Sequence, residues 1–324
     1  MKAYVEDFVR SLNTESPQSE LRLHQLRSLV EIIAELAVSR VDRDELGIAA
    51  NALAELSGAA RLFSPWREHP KLTVFGSARM KPDSPLYDMA RDLSERMANR
   101  GWMTVSGAGP GIMEAAAKGA GREHTLGVNV DLPFEQSANP YVDAETRLIE
   151  MRYFFTRKVA LTKESLAFAF FPGGLGTMDE AFEVLTLLHT GKTTPSPVIL
   201  IDTEHGHFWE KWLEFMMDSV IADGYLDEQS PCLFQICHTL EDAIAVIDRY
   251  YSNFVSFRVT NSHAQVELRH PPTPEQVATL ARAVPTFAYG DGYRCDGTTV
   301  SFPFDGRNYV SVRRVIDEMN LWVG

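Results

Sequence analysis

The stretch FFPGGLGTMDEAF, from Phe170 to Phe182, sets Gly173, Gly174 and Gly176 between an apolar run and a helical pattern. The carboxylate of Glu180 follows three residues after Thr177. Glycines remove the side chains that keep a ligand off the backbone, and they permit positive φ. A helix opening at Thr177 presents unpaired N–H groups and a partial positive charge, for which a phosphate is the natural occupant. A carboxylate beside such a cradle can stabilise a developing cation or orient a water. Thr177-Met178-Asp179-Glu180 equally fits a capping box, in which threonine and glutamate satisfy backbone donors at a helix start. Asp179, about 100° round the helix from Glu180, is read as solvated.

Two further turns repeat the glycine arrangement. SGAGPGI carries Gly107, Gly109 and Gly111, and FGSAR places Gly76 and Ser77 after an apolar run. A single glycine turn can serve close packing alone. Three at one edge of a sheet point to a ligand. Arg157 and Lys158 lie in RYFFTRKVAL, a helical segment. Such a basic pair reads as a solvated face unless the chain crossover brings one helix end to the ligand edge.

These turns need a frame, and the sequence predicts one from Lys71 onward. LTVFGS, WMTVSG, TLGVNVDL, LAFAFFP and SPVILID read as strands. PLYDMARDLSERMANRG (closed by Gly101), IMEAAAKGA, MRYFFTRKVALTKES, TMDEAFEVLTLLHTG and FWEKWLEFMMDSVIADG read as helices between and after them. The alternation predicts the α/β class: a Rossmann-like doubly wound parallel sheet, with ligands beyond the carboxyl ends of the strands. Residues 1–68 form an N-terminal helical region whose stripe of Leu26, Leu29, Val30, Ile33 and Leu36 must pack on the main domain or on a second copy. Residues 69–253 form the main domain. Residues 254–324 read as a small α+β appendage, with FVSFRVT, AQVELRH and TVSFPF as strands and TPEQVATLARAV and NYVSVRRVIDEMN as helices.

The chain has 324 residues, 45% hydrophobic and 23% charged, as in ordinary globular proteins. Its formal net charge of −13 argues against nucleic acid as the main partner. No apolar run of about 18 residues predicts a membrane span, and the acidic start lacks a signal-peptide core. Cys232, Cys237 and Cys295 are too scattered for a disulfide framework, so a reduced, cytoplasmic setting is expected. Cys237 and His238, with His205 and His207 flanking a glycine, lack a second cysteine pair or an H-E-x-x-H pattern, and no metal is predicted. Neither glycine loop is followed by the lysine of a Walker turn. GAGPGI does not match G-x-G-x-x-G, yet Asp131 lies about 20 residues on, which keeps a nicotinamide cofactor open.

PGGLGTMDE resembles the PGGxGTxxE signature of the Lonely Guy (LOG) family, whose members are often labelled lysine decarboxylases. The match takes in Pro172, Gly173, Gly174, Gly176, Thr177 and Glu180. Arg157, 23 residues before Glu180, occupies the family's catalytic arginine position within its arginine–lysine pair. FGSAR, SGAGPGIMEAAAKGA and VNVDLPFEQSANPY resemble the longer bacterial members, so the resemblance spans roughly 70–250. GAGPGIME departs from the triple-glycine turn of short plant-type members, which counts against carrying over cytokinin specificity.

The resemblance implies hydrolysis of the N-glycosidic bond of a purine nucleoside 5′-monophosphate, without a cofactor, to free base and ribose 5-phosphate. AMP is the expected substrate, with GMP and N6-modified AMP beside it. It implies Glu180 and Arg157 as catalytic residues, Arg157 binding ribose or phosphate oxygens. Gly76, Ser77, Gly107, Gly109, Gly111, Met113, Lys158, Gly173, Gly174, Gly176 and Thr177 are implied around the phosphate and sugar. Phe134, Glu135, Gln136 and Asn139 are the candidates for the base, and a homodimer or larger homo-oligomer is expected. Two alternatives remain: a non-catalytic nucleotide or molybdenum-cofactor carrier, and a pyridoxal-phosphate decarboxylase with Lys158 as the one nominated lysine.

Overall fold

A computed structural model describes residues 18–131, 138–260 and 262–323. The chain divides into two compact units, Met1–Glu55 and Leu56–Gly324. The first holds α1 (Gln18–Val38) and most of α2 (Arg43–Phe63). Helix α2 starts where it does because Asp42 and Glu45 serve each other's backbone. The Glu45 N–H donates to Asp42 Oδ1 at 2.8 Å and the Asp42 N–H to Glu45 Oε2 at 3.3 Å. Along α1, Leu26, Val30 and Leu36 are half-buried while Leu29 and Ile33 are exposed. No helix among the described residues is long and apolar enough to cross a membrane.

The second unit is built on a parallel sheet of seven strands. In chain order these are β1 (Lys71–Phe75), β2 (Met103–Ser106), β3 (Thr125–Val130), β4 (Leu148–Met151), β5 (Ala167–Phe170), β6 (Val198–Ile201) and β7 (Phe234–Cys237). Their spatial order is β4-β3-β2-β1-β5-β6-β7. The chain winds outward from β1 to β4, then returns to place β5 against the free side of β1. Winding therefore reverses between β1 and β5, and a crevice opens beyond their carboxyl ends.

Every residue of β1, β2, β5 and β6 is buried, as expected of strands covered on both faces. Side chains alternate across the sheet. Phe168 and Phe170 of β5 enter one core with α5 (Phe154–Lys163), α6 (Leu175–His189), α7 (Phe208–Phe215) and the end of α2. Ala167 and Ala169 enter the other with α3 (Pro85–Ala98), α4 (Ile112–Ala120) and α8 (Leu240–Tyr250).

Two strands of this sheet differ from the sequence reading. Met151 was expected to begin a helix, yet it ends β4, and α5 starts only at Phe154. Strand β7 was not anticipated at all. Both lie at the sheet edges, half-exposed, so neither carries the continuous apolar run that marks an inner strand.

The rest of this unit is an antiparallel sheet ordered β10-β11-β9-β8. It contains β8 (Phe254–Thr260), β9 (His263–Leu268), β10 (Arg294–Asp296) and β11 (Thr299–Pro303), packed with α9 (Pro274–Ala283) and α10 (Tyr309–Asn320). Asn320 ties it to α8. Its Oδ1 accepts from the N–H groups of Asn253 and Phe254, and its Nδ2 donates to the Tyr250 carbonyl at 2.7 Å. A second tie lies at the end of α6. Gly191, at φ +66°, turns the chain there, and the Lys192 N–H donates to the Leu187 carbonyl in a Schellman closure. The Tyr309 ring fills the space where a Gly191 side chain would begin.

Helices α3 and α4 meet equally closely, since a Cβ on Gly119 would overlap the Arg91 backbone carbonyl. Gly119→Ala is expected to force them apart and lower stability by about 1–3 kcal/mol. Urea unfolding of the purified protein reads this directly, and an unchanged midpoint would contradict the packing described.

Candidate functional site

The crevice between β1 and β5 opens into a cleft of about 710 Å³. The structure brings Glu180, Arg157, Gly174, Gly176 and Thr177 into its wall, together with Gly76, Ser77, Gly107, Gly109 and Met113. Gly111, Gly173, Lys158 and Asp131 are not in that wall. Phe134, Glu135 and Gln136 lie outside the described residues. Arg79, Asn129 and Phe154 also line the cleft and were not singled out from the sequence.

Helix α6 begins at Leu175, two residues before the predicted start. Gly174 takes the cap position, and the Met178 N–H donates to the Gly174 carbonyl at 3.1 Å. Thr177 is thus the third helical residue, and no side-chain cap is formed. The capping-box reading of Thr177 and Glu180 does not hold: Glu180 sits nearly a full turn too far along to reach the cap. The N–H groups of Leu175, Gly176 and Thr177 have no acceptor within the helix.

The glycines fall into two groups. A Cβ on Gly111, which sits at φ +70°, would overlap the Ser77 carbonyl, and one on Gly173 would overlap Thr177 Oγ1. One on Gly76 would lie 2.7 Å from Ile112, and one on Gly107 would overlap the Arg157 guanidinium. Close packing requires these four, and a Cβ on Gly109 would come within 2.8 Å of the Met113 side chain. Around Gly174 and Gly176 there is nothing within 4 Å, so bare backbone faces the cleft. The Ser77 N–H donates to the Pro172 carbonyl at 3.2 Å, which ties the β1 and β5 loops together.

Arg157 is seated by what surrounds it. Its Nε donates to the Val128 carbonyl at 3.0 Å, and its guanidinium occupies the space that Gly107 leaves. Glu180, only 5% exposed, faces the cleft from α6, and its Oε2 is enclosed with no hydrogen-bond partner among the described residues. Burial raises its pKa above the ordinary glutamate value, against the pull of Lys158 and Arg157.

Lys158 holds a different post. Its Nζ lies 3.0 Å from Asp179 Oδ2 and 3.6 Å from Glu183 Oε2, which bridges α5 to α6. Burial pulls its pKa down, but Asp179, Glu180 and Glu183 together outweigh that and hold it above the usual lysine value. A Schiff-base lysine needs the opposite shift. Asp179, read as solvated from the sequence, is half of this ion pair.

Asn139 braces the β2 turn and is not in the cleft wall. Its Nδ2 donates to the carbonyls of Ala108 and Gly109 at 3.0 and 3.1 Å, and its Oδ1 accepts from the Tyr141 N–H. That brace holds Ala108 at φ +57°, a conformation a non-glycine residue rarely adopts. His238 has both ring nitrogens engaged, Nδ1 with the Thr203 carbonyl and Nε2 with Glu210. Among the described residues no three His, Cys, Asp or Glu side chains gather as a metal site.

Comparison with known proteins bears on this arrangement. A family model described as possible lysine decarboxylase matches residues 111–247, a span that contains Arg157 and Glu180. A cytokinin riboside 5′-monophosphate phosphoribohydrolase of Mycobacterium tuberculosis is 30% identical over 166 residues, covering 49% of this chain and 83% of that protein. The chain belongs to the LOG family. A rice (Oryza sativa subsp. japonica) LOG protein, also named a cytokinin riboside 5′-monophosphate phosphoribohydrolase, is 26% identical over 185 residues, 55% of this chain and 72% of that protein. Among solved structures, a molybdenum cofactor binding protein of Rippkaea orientalis aligns over 56% of this chain and 96% of its own at 22% identity, with a TM-score of 0.40. The LOG signature coincides with the β5–α6 corner, where the bare backbone and the enclosed carboxylate meet.

A raised carboxyl pKa makes the folded state hold its proton more tightly than the unfolded state. The penalty on the charged form is absent below the ordinary value of 4.5, grows as pH rises to the folded pKa, and persists above it. Glu180→Gln is therefore expected to stabilise the protein at pH 7 by roughly 0.5–2 kcal/mol. The gain should shrink toward zero in acid. Denaturant unfolding of both proteins across pH checks this, and a variant less stable at pH 7 would refute it.

Proposed function

We propose that the protein hydrolyses the N-glycosidic bond of a purine nucleoside 5′-monophosphate, AMP first among them, to free base and ribose 5-phosphate. The observation that carries this reading is Glu180: a carboxylate enclosed in a glycine-walled cleft, just beyond the open N-terminus of a helix. The names of its LOG relatives support the same class of reaction.

In this reading the 5′-phosphate rests on the N–H groups of Leu175, Gly176 and Thr177, with Ser77 beside them. Glu180 lies three residues beyond Thr177, about 4.5 Å along the helix axis, which suits the sugar attached to that phosphate. Phosphate binding holds the sugar in place for a reaction at its far side. As the base departs, C1′ becomes oxocarbenium-like, and the anionic Glu180 opposes that charge in a site of low dielectric. The water oxygen bonds to C1′, one water proton is lost from it, and the departing base nitrogen gains a proton. Arg157, fixed by Val128 and Gly107, holds ribose oxygens and the glutamate. Met113, Val130 and Phe154 form the more apolar end of the cleft, which suits a purine. A second copy of the chain belongs to this proposal: α5 and α6 expose Phe154, Phe155, Val159 and Phe182, apolar surface of the kind that marks an interface.

Purified protein incubated with AMP is expected to release adenine, resolved by chromatography, with GMP and N6-modified AMP run beside it. Glu180→Ala and Arg157→Ala should each lower kcat by roughly 100-fold or more while the circular dichroism stays native. Because the charged carboxylate acts, kcat/KM should fall as pH drops through the Glu180 pKa, which lies above 4.5. Tight AMP binding with no released base would favour a carrier instead.

A further inference from the structure

We infer that Arg79 is the cationic contact to the substrate's phosphate, and so the residue that selects a phosphorylated nucleoside over an unphosphorylated one. This contact presupposes the phosphoribohydrolase reading.

A phosphate monoester carries about −1.5 to −2 near neutral pH. A helix N-terminus supplies about half a positive charge, which leaves most of that uncompensated. Among the described residues, the charged side chains that line the cleft are Arg79, Arg157, Asp179 and Glu180. Asp179 is bound to Lys158, and Glu180 repels an anion.

Position decides between the two arginines. Arg157 is held at the ends of β2 and β3, by the Val128 carbonyl and the Gly107 gap. Strands β2 and β3 stand two and three places from β5 in the sheet, and the Arg157 Nε is already committed to a backbone carbonyl there. Arg79 lies on the loop after β1, the direct neighbour of β5, and the Ser77–Pro172 hydrogen bond joins that loop to the α6 corner. Its own N–H donates to Ser77 Oγ at 3.1 Å, which fixes the loop's course. Its guanidinium is exposed and, among the described residues, has no ion pair or hydrogen bond. Arg96 and Arg100, exposed elsewhere in this acidic chain, are by contrast paired with Glu241 and Asp248. An arginine left unpaired beside an anion cradle is placed to close on phosphate oxygens with its planar fork.

Arg79→Ala and Arg79→Lys test the contact, with folding checked by urea unfolding. Arg79→Ala is expected to raise the KM for AMP and the inhibition constant of ribose 5-phosphate together, each by roughly ten- to hundred-fold. The kcat should stay within about threefold, the signature of lost ground-state binding. Arg79→Lys should recover part of the loss, as a point charge without the fork. Ribose 5-phosphate binding, followed by calorimetry on wild type and variants, reads the contact whether or not base is released. Equal ribose 5-phosphate affinity in wild type and Arg79→Ala overturns the inference, as does a fall in kcat with KM unchanged. Failure of the wild type to release base from any nucleotide overturns the phosphoribohydrolase reading instead.

Discussion

Enclosing a carboxylate oxygen where nothing donates to it costs a protein roughly 1–3 kcal/mol, and more while the group is charged. Glu180 Oε2 is such an atom, and the elements around it keep it from escaping to water or to the helix end. Helix α6 carries it on a buried face, packed into the core through Ala181 and Val184. Lys158 bridges the two helices through Asp179 and Glu183, which holds α5 and its Arg157 beside the carboxylate. The nearby cations offset part of the penalty without neutralising the acid by direct pairing. A free-energy cost held by rigid packing is the usual state of a group kept ready for chemistry.

The cleft around that group is a product of topology. Reversal of winding between β1 and β5 opens the crevice, and the glycines then decide what can enter it. Five of them are closely packed, against loops, Ile112, Met113 and the Arg157 guanidinium. Only Gly174 and Gly176 leave backbone uncovered for a ligand. A glycine-rich motif thus combines two jobs, and coordinates separate them where spacing alone does not.

The doubly wound class was legible because inner strands buried on both faces write themselves as unbroken apolar runs, such as LTVF and AFAF. The edge strands Leu148–Met151 and Phe234–Cys237 mix polar and apolar residues and left no such trace. The meeting of Glu180 with Arg157 was legible only through the family signature, since 23 residues of chain say nothing about their approach. Thr177 looked like a cap because its residue type suits one, but Gly174 could take the turn without help from any side chain. Asn139 was named for the base only through the family-like stretch that holds it, and its hydrogen bonds to two backbone carbonyls became visible only in three dimensions. Arg79 stood in plain view within FGSAR. What marks it out is its place in the cleft wall, on the loop tied to Pro172, which no sequence displays.

The helix that bears Glu180 is held at both ends by different parts of the fold. Its beginning is sewn to the β1 loop through Pro172 and Ser77, while its end abuts Tyr309 across Gly191. From His189 back to Glu180 is about 14 Å of continuous helix. Tyr309 opens α10 of the C-terminal sheet's layer, so one rigid rod connects that layer to the acid in the cleft. A tilt imposed on the rod at its tyrosine end is carried toward the acid along one unbroken helix.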